Sequence, residues 1–341
     1  MTLQNDVVPP SSQTDNRPAA TAQFVTITEE EAGQRIDNYL LRVCKGVPKS
    51  HIYRILRSGE VRVNKGRIDQ LYRLQSGDLV RIPPIRIAEK AADAAPVPGA
   101  EFHIVHEDSH LLVIDKPAGV AVHGGSGVSY GVIEQLRAAR PDAKFLELVH
   151  RLDRETSGLL LLAKKRSALT SLHEQMRDGK TDKRYLTLAV GDWKNPRQHV
   201  KLPLHKYTTP DGERRVVVQA GGQESHTVFN LLRKWQDFPL LEAELKTGRT
   251  HQIRVHLASS GFPIAGDEKY GDFALNKQLQ KATDTRGALR RMFLHAYQIT
   301  FQHPETGKPM TLKAPLPPEC DRFLVSLGKP IGKTINADKA I

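Results

Sequence analysis

The chain has 341 residues, 39% of them hydrophobic and 26% charged, which is enough to build the cores of two soluble domains. Fifty Lys and Arg against 38 Asp and Glu leave a net charge of +12, which favours polyanionic partners, nucleic acid ahead of membrane. Two cysteines exclude a disulfide scaffold, and no run approaches the roughly 18 apolar residues of a transmembrane helix. The expected compartment is a reducing cytoplasm.

Residues 1–22 are polar and rich in Pro, Ser and Thr, without the apolar segment of a secretory signal, and are expected to form a disordered tail. Patterning begins at Phe24-Val25-Thr26-Ile27, an alternating strand. Ile36, Tyr39, Leu40 and Val43 recur at helical spacing, as do Ile52, Ile55 and Leu56. Short strands are expected at Val61–Val63 and Leu79–Ile82, and Pro83-Pro84 close a block spanning 24–86. A Pro- and Ala-rich linker covers 87–101, and a polar tail covers 329–341.

The positive charge is concentrated in that first block. Residues 35–86 hold twelve Lys and Arg against four Asp and Glu, two thirds of the net charge of the chain. A merely solvated face would intersperse both signs, so a nucleic-acid-binding module is the better reading. Lys49, Arg54, Arg57, Arg62 and Lys65 are its candidate contacts.

Residues 102–328 read as a longer α+β domain. Strands are expected at 110–115, 159–163, 185–190, 215–218, 227–232 and 240–245, and helices at 132–139, 168–177 and 251–259. Strands often follow one another directly, which predicts a mixed or mostly antiparallel sheet. The densest chemical signal is HRLDRETSGLLLLAK at 150–164, where Asp153 lies between Arg151 and Arg154. Nearby positive charge keeps a carboxylate ionised, fit to act as nucleophile or base; a salt-bridged loop cap reads equally well from this segment alone.

A second signal is TGRTHQIRVHLASSG at 247–261, with Thr250 as helix N-cap and Gly261 as its stop. His251 and Arg254 share a helix face at i, i+3, and Arg254 is a candidate partner for a carboxylate elsewhere. His251 and His256 are five apart and wrongly phased for a zinc pair, so both are read as satisfied histidines. Gly127-Val128-Ser129-Tyr130-Gly131 matches a nucleophile elbow, but it follows a glycine-rich loop rather than a buried strand.

Together these segments resemble the pseudouridine synthases that act on ribosomal RNA, in the branch joining an S4-like domain to a catalytic domain, over residues 24–328. HRLDRETSG is similar to that family's active-site motif, HRLD-x-x-TSG, and the resemblance implies a catalytic aspartate at Asp153. KRYLTLAVG at 183–191 resembles the second motif and implies an active-site tyrosine at Tyr185. TGRTHQIRVHL resembles the third and makes Arg254 the ion-pair partner of Asp153, through two parallel bonds. IDKPAGVAVHGG at 114–125 is similar to the strand and turn that open the catalytic domain, and residues 33–64 to the S4 unit.

The resemblance implies a small S4-like RNA-binding domain followed by a mixed-sheet catalytic domain that isomerises uridine in 23S ribosomal RNA or its large-subunit precursor. It implies no cofactor and no metal. The oligomeric state is not legible in the sequence, and a monomer is the working expectation. Arg151, with His150, is expected to hold RNA phosphate and fill the space left by a flipped base. The competing reading is an S4-type assembly factor that binds RNA without catalysis.

Overall fold

The computed structural model describes residues 21–29, 31–44, 46–85, 97–125, 128–281 and 287–331; most of the two expected tails and of the expected linker lies outside them. The chain divides into two compact units, Met1–Ala95 and Pro96–Ile341.

The first unit runs β1 (Gln23–Thr26), α1 (Ile36–Val43), α2 (Lys49–Arg57), β2 (Arg62–Val63) and β3 (Leu79–Ile82). Its strands form an antiparallel sheet in the order β1-β3-β2. Ile36, Tyr39 and Leu40 of α1 and Ile52, Ile55 and Leu56 of α2 present apolar stripes to Val61, Val63, Val80 and Ile82. Val43, expected on the α1 stripe, is 42% exposed. The helix ends there, and Cys44 turns inward in its place before the left-handed Gly46.

All five basic candidates are exposed. Lys49, Arg54 and Arg57 lie on α2, away from its buried stripe. Lys65 is carried on a two-residue turn in which Asn64 (φ 49°) and Lys65 (φ 66°) are both left-handed and Val63 and Gly66 exchange backbone hydrogen bonds. Arg54 pairs with Glu60 at 3.4 Å, and Arg62 bonds the carbonyls of Gly59 and Lys65. Among the described residues Lys49, Arg57 and Lys65 have no carboxylate partner, so their charge faces solvent.

The second unit begins with β4 (His103–Glu107), β5 (Leu111–Lys116), α3 (Val132–Ala139), β6 (Glu147–Leu148), β7 (Ser157–Ala163) and α4 (Arg166–Arg177). It continues with β8 (Asp182–Leu188), β9 (Arg197–Val200), β10 (Leu204–Thr208), β11 (Arg214–Val218), β12 (Thr227–Lys234) and β13 (Pro239–Leu245). Then come α5 (Gln252–Ser259), α6 (Phe273–Lys281), β14 (Leu294–Gln302), β15 (Pro309–Lys313) and α7 (Pro318–Ser326). Ten strands make one sheet with the path β4-β5-β7-β14-β8-β13-β12-β9, β15 joining β14 and β6 joining β7. Among the described residues only β7 and β14 pair in parallel, so the sheet is mixed, as the run of successive strands predicts. β10 and β11 form a separate two-stranded ribbon.

Side chains alternate between the two faces of the sheet. Leu112, Ile114, Leu160 and Leu162 meet α3 and Ile253 and Leu257 of α5, whereas Leu111, Val113, Leu159 and Leu161 meet α4 on the opposite face. All seven residues of β7 are buried, which is why that strand reads as an unbroken apolar run. β8 starts three residues before its expected start and ends at Leu188; beyond it the Val190 N–H bonds the Pro263 carbonyl in a loop, and the chain turns at Gly191 with φ 116°.

Candidate active site

Asp153 sits in the loop that enters β7, and that loop is anchored at both ends. The fully buried Lys116 donates from Nζ to the carbonyls of Pro117 (2.7 Å), Val120 (2.8 Å) and Arg154 (3.1 Å), and burial brings its pKa down to about 7. The Gly119 N–H donates to the Arg154 carbonyl, and Arg154 Nε returns a bond to Gly119 O, both at 2.9 Å. On the far side, Ser157 Oγ bonds His295 Nδ1 at 2.8 Å and accepts from Arg291 at 2.7 Å, tying the strand entrance to β14.

Gly158 completes that anchor. Its φ of 110° is closed to L side chains, and an added Cβ would lie 2.3 Å from the Ala296 carbonyl oxygen. Gly158→Ala should therefore cost more than about 3 kcal/mol, by backbone strain together with overpacking. Urea denaturation measures it; a loss under about 1 kcal/mol, the size of an ordinary substitution, would show that the β7–β14 approach is slack.

α5 brings its functional side chains against this loop. Arg254 Nη1 donates to Asp153 Oδ2 at 3.1 Å, across 101 positions of sequence. The expected pair of parallel bonds goes elsewhere: Arg254 Nε and Nη2 each donate to Asp267 at 2.8 Å, and Asp153 receives a single bond. Asp267 is better placed for the double contact because it is buried and its Oδ1 also accepts the N–H groups of Lys269 and Tyr270. Burial opposes the charge on Arg254, but Asp267 and Asp153 outweigh it and raise the guanidinium pKa. Burial likewise opposes the charge on Asp267, and Arg254 outweighs it, so that pKa falls.

The N-terminus of α5 differs from expectation. Thr250 is not the cap; His251 occupies that position in a left-handed conformation, φ 53°, with no side-chain capping bond. The turn is closed instead by Gln252, whose Oε1 accepts from the Arg249 N–H and the Thr247 hydroxyl. The two histidines read as satisfied part company. His256 is fully buried and bonded to Ser225 and Thr227, whereas His251 lines the cavity, with Nε2 3.8 Å from Asp153 Oδ1.

Asp153, Tyr185 and Arg254 line one cavity of about 400 Å³ together with His150, Arg151, Lys183 and His251. Tyr185 is buried on β8, opposite Ala243 of β13. Burial, then the charge of Asp153, pushes its phenol well above the usual tyrosine range, so it is neutral. Arg151 is exposed at the rim with no side-chain partner among the described residues, and Arg177 and Arg249 line the same cavity. His150, expected to contact RNA, is half-buried in the wall of this cavity. Its Nε2 accepts the Leu161 N–H at 3.2 Å, which braces β7, and burial brings its pKa to about 3.

Four residues escaped the sequence reading as parts of the site: Asp267, Tyr270, His251 as a neighbour of Asp153, and Lys116. Signals were present: AGDEKYGD at 265–272, an acid and a tyrosine three apart after a glycine; the helix face that His251 shares with Arg254; and Lys116 within IDKPAGVAVHGG. The elbow motif carries nothing: Gly127 lies outside the described residues, and Ser129 bonds no histidine among those described.

Family models match both units. An S4 domain covers residues 34–80, and the RNA pseudouridylate synthase family covers residues 110–259. The ribosomal large subunit pseudouridine synthase C of Pasteurella multocida (strain Pm70) is 54% identical over 312 residues, 89% of this chain and 94% of that protein. The Escherichia coli (strain K12) protein of that name is 51% identical over 90% of this chain and 97% of its own length. Among solved structures, human RNA pseudouridylate synthase domain containing 4 matches with TM-score 0.55 and 27% identity, covering 66% of this chain and 92% of that one. Human RNA pseudouridylate synthase domain containing 1, at TM-score 0.56 and 23% identity, shares the fold over 71% of this chain and 94% of its own. The chain belongs to the S4-bearing RNA pseudouridylate synthases, isomerases that convert uridine to pseudouridine.

Proposed function

We propose that this enzyme isomerises specific uridines of 23S ribosomal RNA, with Asp153 as the carboxylate that opens the reaction. One observation carries this reading: Asp153 is held by Arg254 in a cavity shared with the neutral Tyr185 and rimmed by arginines. The names of the relatives supply the large-subunit target.

The chemistry balances within the substrate. The C1′–N1 bond breaks, the uracil turns, and C1′ bonds C5; C5 gives up a proton and N1 takes one, so nothing is oxidised or reduced and no cofactor is required. Asp153 acts either on C1′ as nucleophile or on the C2′ proton as base, and both routes need an ionised carboxylate at one place. Tyr185 offers a flat face to the uracil and a phenol that donates. Arg151 holds phosphate and fills the gap left by the flipped base, an excursion that costs a few kcal/mol. The deciding experiment maps pseudouridine in ribosomal RNA with and without the protein. If no site differs while RNA is still bound, the inactive assembly-factor reading takes over.

The first unit supplies the electrostatic grip in this scheme, and the enzyme acts as a cytoplasmic monomer. Replacing Lys49, Arg57 and Lys65 together by Ala should flatten the dependence of RNA affinity on salt by about 0.7–0.9 log units per log unit of salt for each phosphate left unneutralised. Turnover at saturating RNA should hold. Filter binding across a salt series tests it; an unchanged slope would make these residues a solvated face.

A further inference from the structure

A chain of polar contacts runs from the β10–β11 ribbon to Asp153. The Val216 N–H on β11 donates to the Tyr270 hydroxyl oxygen at 2.9 Å, and that hydroxyl lies 2.8 Å from His251 Nδ1. The Tyr270 oxygen accepts from Val216, and among the described residues Nδ1 is the one acceptor in reach of its proton, an arrangement that puts the remaining hydrogen of a neutral imidazole on Nε2. Nε2 faces Asp153 Oδ1 at 3.8 Å, just beyond direct hydrogen-bond range, while Arg254 holds the other oxygen, Oδ2, at 3.1 Å. His251 adopts its left-handed φ of 53° at the N-terminus of α5, a local strain that persists only where the surroundings enforce it.

We propose that His251, fixed as the Nε2–H tautomer by Tyr270, is a positioning residue for Asp153. It presents a neutral donor to Oδ1 that closes to a full hydrogen bond when RNA fills the cavity, so that Arg254 and His251 hold the carboxylate from both sides. The inference rests on Asp153 being the reacting carboxylate. Neutrality suits the task, because a charged imidazole would compete with Arg254 for the same anion. Asp153 and Asp267 favour the charged ring, whereas Arg254, Lys269 and above all burial oppose it, and its pKa falls to about 4.

The test compares His251→Ala, His251→Gln and Tyr270→Phe by single-turnover modification of a ribosomal RNA fragment across pH. Gln offers a neutral N–H donor near the position of Nε2. His251→Ala should lower the rate about ten- to a hundredfold, the range expected from misplacing a reacting group by about 1 Å, with RNA affinity within about twofold. The acid limb of its pH–rate profile should move to higher pH, since losing a donor disfavours the ionised carboxyl. His251→Gln should recover most of the rate and return the limb. Tyr270→Phe should fall between, and the double variant with His251→Ala should be no slower than His251→Ala alone. An acid limb unmoved by His251→Ala, or a Gln variant no better than Ala, overturns the proposal. Asp153→Asn is run alongside: if it is as active as wild type, the assignment of Asp153 fails instead, whatever the His251 variants do.

Discussion

Asp153→Asn should give a folded, RNA-binding protein that turns over at less than about a thousandth of the wild-type rate, the scale on which groups acting as a catalytic unit fail. The amide is nearly isosteric but can neither attack C1′ nor take a proton from C2′. The fold should survive because Arg254 keeps both of its bonds to Asp267. RNA affinity should survive because phosphate contacts supply most of it. Single-turnover assays beside filter binding check both halves. Residual turnover above a thousandth would remove Asp153 from the chemistry.

The second large effect belongs to Arg254. One guanidinium serves two acids at once, Asp267 through Nε and Nη2 and Asp153 through Nη1. An ammonium is a point charge and cannot reproduce that fork. Arg254→Lys should therefore lower turnover about a hundredfold by letting Asp153 shift, and should move the acid limb of the pH–rate profile upward. It should also cost about 3 kcal/mol at neutral pH, because the buried Asp267 loses its matched partner. The sign with pH follows from the lowered pKa of Asp267. Its contribution is present above the ordinary carboxylate range and is lost as pH falls through the folded value, so wild type and variant should converge in acid. Urea denaturation at neutral and acid pH measures the gap, and a constant gap would show that Asp267 is not the charge at stake.

What could be read from the sequence depended on whether a role is local. The apolar stripes of α1 and α2, the continuous run of β7 and the span of α3 at Val132–Ala139 follow from spacing alone. Motif resemblance placed Asp153, Tyr185 and Arg254 in one site, and the cavity does bring them together. Asp267 was out of reach because its partner is set by how the chain folds back after α5, not by helical spacing. β14, at the centre of the sheet, was missed because His295, Gln298 and Thr300 interrupt its apolar pattern; His295 is nonetheless fully buried, satisfied by Ser157 and the Ala314 carbonyl. Thr250 looked like a cap because Thr is a common one, and the Gln252 side chain does that work instead.

The two units have separate hydrophobic interiors: Ile36, Ile52 and Val80 belong to one set, and Leu112, Leu160 and Phe229 to another, with no member in common. Melting of the whole enzyme need not be a single cooperative event, and one midpoint drawn through an optical trace would then average two transitions. Calorimetry should resolve two heat-absorption peaks. Substitutions at Gly158 or Arg254 should displace one of them and leave the other where it was, which turns the undisturbed peak into an internal thermometer for every variant made in the catalytic half.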